Sequence, residues 1–379
     1  MNLLDNARGQ MLFFRPPVNW TESLYERLPC NTTEKDLRTL TALMEHRGIP
    51  HTPLRPWGAQ AEHDTEAWVR RMHLVRSAEA ARHFDAIGAG GLAARVYGDA
   101  ATAEKQKVVT DWLSWLFVFD DQVDEGNVGQ RPERLATLLD VMLLATDAAP
   151  PVANLPLATA LADLWRRIQP RMPQAWCHRF LQHVAEYFHG AHWEAKNRAA
   201  GRVPTPVEYP AMRRTAGAMM PTFDLIEFVH DLDLPVQLRV HPLYLDLVTT
   251  AADVVCWTDD LVTVEKEMAR GDVHNLVIVL AHYENCSVEA ASRRVHGMLT
   301  ERVDAFLDAE RRLFDSFDAF GFSRTQRAQA ERWVHGLRTW MRGHLDWGTE
   351  TPRYQKPEIV NAAFPPSYLE DLLPIRDTN

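Results

Sequence analysis

The sequence predicts an all-α fold. Apolar residues recur with a period near 3.6, and the strict alternation of half-buried strands is scarce. The main breaks between periodic stretches carry proline or glycine, which suits helix ends. Two apolar runs, Trp112–Phe119 and Ala251–Trp257, each lead into a cluster of acidic residues.

Taken in order, residues 1–33 hold Pro16, Pro17 and Pro29 with little periodicity, and read as an arm packed over the helices. Helices are predicted at 34–46, 64–72, 77–87 and 89–95. The next, 102–121, carries the first apolar run and is stopped by the segment from Gly126 to Pro132. Helix 132–146 ends before Ala148-Ala149-Pro150-Pro151, and 156–168 and 173–199 are closed by Pro204 to Pro206. Helices 207–216 and 218–229 flank Gly217, whose missing side chain permits a break. Helix 239–268 bears the second cluster and stops at Arg270-Gly271-Asp272. Helices 274–283, 287–319 and 324–348 follow. The last shows Trp333, Leu337, Trp340, His344 and Trp347 in one stripe. The tail, 355–379, contains Pro357, Pro365, Pro366 and Pro374 and reads as irregular. No Ser/Gly linker, charge block or repeat divides the chain, so residues 1–379 read as one domain.

With 379 residues, 46% of them hydrophobic, the chain can bury a large core. Its 12 Trp and 15 Phe exceed what a plain helical scaffold needs. A formal charge of −10 argues against nucleic acid as a partner. It also repels an anionic substrate, so any phosphate must be drawn in locally by metal ions and a few cations. Cys30, Cys177, Cys256 and Cys286 have no metal or redox spacing and read as free thiols of a reducing compartment, which points to the cytoplasm. No signal-like leader opens the chain, and no apolar run reaches about 18 residues, so neither export nor a membrane span is expected. A homodimer is left open.

The acidic clusters carry the chemistry. Asp120-Asp121-Gln122-Val123-Asp124-Glu125 ends the first run, and Asp259 to Glu267 ends the second. A carboxylate cluster on an apolar helix costs desolvation energy unless positive charge meets it. Asp120 and Asp124 are one helical turn apart; Asp259, Thr263 and Glu267 are spaced i, i+4, i+8. Each set therefore lines one helix face. Carboxylates with one hydroxyl suit Mg²⁺, which keeps room for water and phosphate oxygens. The lack of His and Cys argues against zinc.

On these motifs the chain resembles the class I terpene synthases of bacteria. Asp120-Asp121-Gln122-Val123-Asp124 matches their DDxx(D/E) motif. Asp259, Asp260, Thr263 and Glu267 match (N/D)Dxx(S/T)xxxE, with Asp259 where Asn is usual and Lys266 before the last Glu. Tyr209 to Gly217 is similar to the segment bearing the diphosphate-sensing Arg, here Arg213, and the helix-break effector, here Gly217. Trp347 to Tyr354 is similar to the C-terminal Arg-Tyr segment, here Arg353 and Tyr354.

The resemblance implies a helical bundle around a central apolar active-site cavity. It implies a lyase: a Mg²⁺-dependent cyclase that ionises a linear isoprenyl diphosphate and guides the carbocation to a hydrocarbon or alcohol. Farnesyl diphosphate (C15) is the expected substrate, with the C20 geranylgeranyl diphosphate as the alternative. Three Mg²⁺ ions are implied, with Asp120 the chief ligand of two and Asp259, Thr263 and Glu267 holding the third. Asp124 joins the metal set and, with Asp121, acts outside the direct ligands or on closure. Glu125 reads as surface charge. Arg213, Lys266, Arg353 and Tyr354 bind the diphosphate, Arg as a bidentate clamp and Lys as a point charge. Arg214 points about 100° away from Arg213, so only one of the pair faces the ligand. Leu116, Phe117, Trp340 and Trp347 line the pocket, and aromatic faces there stabilise a passing cation. His344 is read as a hydrogen-bonded core residue, with proton acceptor as the alternative.

Three other readings compete with this one. A chain-elongating prenyl synthase would carry two DDxxD motifs. A di-iron bundle would use Glu186/His189 and Glu227/His230, both Glu-x-x-His. A non-enzymatic helical scaffold gives no reason for acidic clusters on apolar helices.

Overall fold

The computed structural model describes residues 32–100, 102–146, 155–354, 369 and 372. The helices are α1 Thr32–His46, α2 Trp57–Arg71, α3 Ala78–Asp85, α4 Ala89–Val96, α5 Ala103–Asp124, α6 Pro132–Leu144, α7 Pro156–Ile168 and α8 Gln174–Ala200. They continue as α9 Tyr209–Ala216, α10 Met219–His230, α11 Val236–Arg239, α12 Pro242–Arg270, α13 Leu276–Tyr283, α14 Val288–Asp315 and α15 Arg324–Glu350. Short 3₁₀ turns occupy Asn127–Gln130, Gln169–Arg171 and Pro352–Tyr354. Among the described residues there is no strand, and the fold is all-α as predicted.

The long helices have chemically defined ends. Thr102 caps α5 by accepting from the Lys105 N–H. His241 caps α12, Pro242 takes its first position, and Gly271 ends it at φ 73°. Ser323 and Gln326 form a capping box on α15. α5 buries residues on every face, from Val108 through Trp112 and Trp115 to Phe119, and so runs through the interior. α12 packs against α14 and α15, α15 against α4, and α8 against α9. The apolar side chains form one continuous core from Leu37 to Trp347, which Leu372 also enters.

Several boundaries differ from those predicted. α2 begins at Trp57, not 64, because Pro56 sits at its N-cap, where a missing N–H costs nothing. α5 runs on to Asp124, through the acidic cluster rather than up to it. α14 stops at Asp315, not 319. The four-residue α11 was not predicted. Thr32 and Thr33 belong to α1; the rest of the predicted arm, Cys30 included, lies outside the described residues, as does the tail apart from Leu369 and Leu372. Cys177, Cys256 and Cys286 are free thiols. No described helix is long and apolar enough to cross a membrane.

Candidate active site

α5 and α12 bring their acidic clusters to opposite walls of one cavity, closed by α8, the α9–α10 break, the loop from Gly271 to Asn275 and the Pro352–Tyr354 turn. Its volume is about 190 Å³, small beside the ~300–1,000 Å³ of typical ligand pockets. Its walls are mainly charged, with Phe117 the one aromatic ring besides Tyr354 and His274. The cavity is therefore shaped for an anionic head group and cations, not for a long apolar chain.

On the first wall, Asp120 Oδ1 accepts from the Tyr187 hydroxyl at 2.5 Å. Burial and the neighbouring Asp124 push the Asp120 carboxyl up to about 8. Burial alone would also raise Asp121, but Arg353 (2.6 and 3.2 Å) and His83 (3.0 Å) hold it well below the usual carboxylate range. Asp124 lies 3.2 Å from the Arg198 guanidinium. Glu125 is not a surface charge: its side chain is covered and paired with Arg270 and Lys266. Periodicity placed it at a helix end but could not show that α12 lies against that end.

On the second wall, Asp259 accepts from Arg213 at 2.8 Å and from the Tyr354 hydroxyl at 2.6 Å. Burial works against its charge, but Arg213, His344 and Tyr354 lower its pKa overall. Asp260 is fully buried and saturated by Tyr209, Arg213 and the Leu276 N–H, each at 2.9 Å. It is a clamp, with three of its acceptor positions taken. Thr263 Oγ1 donates to the Asp259 carbonyl at 2.9 Å. Glu267 Oε2 is buried without a hydrogen-bond partner. Burial, then Asp260 and Asp272, push the Glu267 carboxyl far up. Burial and Arg353 lower Lys266.

The two neighbouring arginines separate as the 100° rotation requires. Arg213 reaches the second wall, whereas Arg214 pairs with Asp253 at 2.6 Å. The chain breaks between α9 and α10 at Gly217 and Ala218. Gly217 has an ordinary φ of −78°; the left-handed torsion falls on Ala218, at 53°. Gly217 sits in a tight spot instead: a Cβ there would meet Cys256 Sγ at 3.0 Å and Arg213 Nη1 at 3.1 Å, so these neighbours would have to give by a few tenths of an ångström.

Of the four predicted pocket liners, only Phe117 reaches this cavity, with the Arg353 guanidinium 5.1 Å from its ring centroid. Trp347 lies behind it, 5.6 Å from Phe117 and 5.3 Å from Tyr354 between centroids, and donates to the Ile87 carbonyl. Trp340 packs between Tyr97 and Phe223, its indole N–H unpartnered. Leu116 is buried in the core. Helical spacing put all four toward the centre but could not say which neighbours cover them. His344 is buried as expected, yet its Nδ1 has no hydrogen-bond partner and its Nε2 lies 3.8 Å from Asp259.

The di-iron alternative fails. Glu186 and His189 are exposed, and Glu227 is taken by Arg179 and Arg239. Sequence reasoning in turn missed Tyr187, Glu194, Arg198, Asp272 and His274, all in or beside the site. One signal was available: Arg198 follows Ala191 and Ala195 on the buried stripe of α8, where a charge is out of place.

The donors suit hard divalent cations. They are oxygens, one Glu267 oxygen is buried and unpartnered, and Asp120 forms no ion pair among the described residues. Among the described residues no three such side chains converge tightly enough to hold a metal unaided. A shell shared with water and phosphate oxygens is what Mg²⁺ ordinarily uses.

Residues 111–305 match the family model described as terpene synthase family 2, C-terminal metal binding. The chain is 37% identical over 310 residues to (−)-delta-cadinene synthase of Streptomyces clavuligerus, covering 80% of this chain and 93% of that protein. It is 36% identical over 266 residues to (+)-T-muurolol synthase ((2E,6E)-farnesyl diphosphate cyclizing) of Roseiflexus castenholzii, covering 70% and 79%. The crystal structure of germacradien-4-ol synthase from Streptomyces citricolor superposes with a TM-score of 0.71 at 29% identity, covering 79% of this chain and 96% of that one.

Proposed function

The chain belongs to the bacterial class I terpene synthases, divalent-metal-dependent lyases, and from that premise we propose that it ionises farnesyl diphosphate and cyclises the resulting cation. The observation that carries this reading is the Pro352–Tyr354 turn. Arg353 binds Asp121 of one wall and Tyr354 binds Asp259 of the other. A single turn thus touches both acidic walls over the cavity, where a diphosphate would compete for both donors. The T-muurolol synthase match supports the C15 substrate. The continuous core supports treating the chain as one catalytic domain.

Asp120 and Asp124 from α5 and Asp259, Thr263 and Glu267 from α12 would hold the metal, three Mg²⁺ in this reading. Bound Mg²⁺ supplies Lewis-acid neutralisation of the departing diphosphate. Arg213, Lys266, Arg353 and Tyr354 bind phosphate oxygens after giving up their carboxylate partners, an exchange of one ion pair for another. The substrate C1–O bond breaks, its electron pair leaves with the diphosphate, and an allylic cation remains. The backbone at Gly217 and Ala218 turns out of its helix and can present a carbonyl dipole to that cation. Phe117 offers a π face at the boundary between charged mouth and apolar interior. Trp347 backs Phe117, and Trp340 and Leu116 belong to the apolar interior that would receive the chain.

Incubation with C10, C15 and C20 diphosphates, with and without Mg²⁺, tests this by mass spectrometry of volatile products. Cyclic C15 products only with Mg²⁺ are expected. Products from the C20 substrate alone would overturn the substrate assignment, and none from any substrate would overturn the function.

A further inference from the structure

Arg198, on α8, is 4% exposed and belongs to none of the terpene synthase motifs. Its Nη1 donates to Asp272 at 2.9 Å and its Nε to the Gly129 carbonyl at 3.3 Å. Its Nη2 lies 3.2 Å from Asp124 Oδ1 but makes no hydrogen bond. One guanidinium thus touches the end of the first wall, the 3₁₀ turn after it and the loop that follows the second wall.

The two carboxylates are held differently. Asp272 is saturated: besides Arg198 it accepts from His274 Nδ1 at 2.6 Å and from the backbone N–H groups of Val273 (2.6 Å) and His274 (2.9 Å). His274 Nε2 meets the Asn197 amide at 3.2 Å, which returns the circuit to α8. Asp124 is held by charge alone, so its oxygens can turn to an incoming cation without losing a hydrogen bond. Glu194, one turn before Arg198, also lines the cavity. Without Arg198, Asp124, Glu194 and Asp272 would be left facing one another with no cation between them, and would repel.

We infer that Arg198 is a positioning residue that fixes the end of the α5 wall against the loop closing the α12 wall, and so sets the cavity for Mg²⁺ and diphosphate. This rests on the proposed site, with Asp124 facing the metal. Lys in its place keeps the charge but cannot reach three acceptors. Loss of the brace should weaken metal and diphosphate binding beyond any loss of fold stability.

The test is the rise in melting temperature that Mg²⁺ plus inorganic diphosphate gives to metal-free protein, read beside the Mg²⁺ concentration for half-maximal turnover. Wild type should show a clear rise. Arg198→Met should lose more than half of that rise and need at least ~10-fold more Mg²⁺. Arg198→Lys should fall between them. Asp272→Asn, which turns the oxygen facing Arg198 into a donor, should resemble Arg198→Met. In an Asp124→Asn background, Arg198→Met should raise the Mg²⁺ requirement by a smaller factor than it does in wild type, because part of its effect runs through Asp124. A variant that melts earlier yet keeps the wild-type ligand rise and Mg²⁺ requirement would make Arg198 merely structural and overturn the inference. So would full additivity with Asp124→Asn. If Arg198→Met does not fold, Arg198→Lys and Asp272→Asn decide by the same criteria. Absence of any rise in wild type would count against the proposed site itself, not against the brace.

Discussion

On the α12 wall, Asp259 and Asp260 each have donors of their own: Arg213 and Tyr354 for one, Tyr209, Arg213 and the Leu276 N–H for the other. On the α5 wall, Asp120 accepts from the Tyr187 hydroxyl and forms no ion pair among the described residues, while Arg353 goes to Asp121. The first wall also closes a helix whose last turn has no basic residue. Carboxylates there oppose the helix dipole at about 0.3–1 kcal/mol each. Asp259 and Asp260 are thus organised in advance, whereas Asp120 on the α5 wall, like the buried Oε2 of Glu267, is left to be ionised by an incoming cation. Asp120, pushed up to about 8, and Asp259, held low, show that contrast in one pair of residues.

Substitutions can break the contrast directly. Asp120→Asn or Glu267→Gln should reduce product formation by at least ~10³-fold with the fold intact, since each removes a hard anionic ligand and keeps its shape. Near wild-type turnover at saturating Mg²⁺ would remove either residue from the metal set. In metal-free protein, Asp120→Asn should leave stability nearly unchanged, because burial and Asp124 already keep that carboxyl largely protonated near neutral pH. Asp260→Asn should cost about 3 kcal/mol in denaturant unfolding, because it breaks a buried, saturated clamp. Equal costs at the two positions would erase the difference between the walls.

Smaller effects sharpen the picture. Arg213→Lys keeps charge but loses the fork and should cut turnover about 100-fold, whereas Arg214→Lys, bound to Asp253, should change it less than about threefold. The reverse order in kcat would put the sensor at Arg214. Trp347→Leu removes the ring packed against Phe117 and Tyr354. It should shift the product mixture toward early-quenched or linear alcohols with only a three- to tenfold fall in diphosphate release, roughly 1 kcal/mol. Trp347→Phe should lie between Trp347→Leu and wild type. An unchanged product profile would place Trp347 outside the pocket wall.

Far from both walls, His230 serves as a control. Burial, then Arg332, lowers its pKa from 6.5 to about 4. Between those values the unfolded chain binds more protons than the native one, so stability falls as pH drops from 6.5 toward 4. About 1 kcal/mol should be lost per pH unit inside that window. His230→Gln should flatten the slope without altering Mg²⁺ dependence; an unchanged slope would show that His230 is protonated in the native state.

Much of this was legible in the sequence, and for definite reasons. Asp259, Thr263 and Glu267 share a face because a helix returns every fourth residue to it, and the Arg213/Arg214 division follows from the same rotation. The parts that stayed hidden depend on partners from distant segments. Tyr187, His83 and Arg198 reach the α5 wall from α8 and α3. Glu125 was misread because no pattern within α5 shows that Lys266 and Arg270 of α12 cover it. Trp340 and Trp347 lie on one stripe, but whether such a ring faces a cavity or packs against Tyr97, Phe223 or Phe117 is settled by side chains elsewhere.

The most direct test of the two-wall site is a crystal structure with Mg²⁺ and inorganic diphosphate. It should show metal on Asp120 of α5 and on Asp259, Thr263 and Glu267 of α12. It should also show Arg213, Lys266, Arg353 and Tyr354 turned from their present carboxylate partners onto phosphate oxygens. Metal confined to one wall, or diphosphate bound elsewhere while Arg353 stays on Asp121 and Tyr354 on Asp259, would contradict the account.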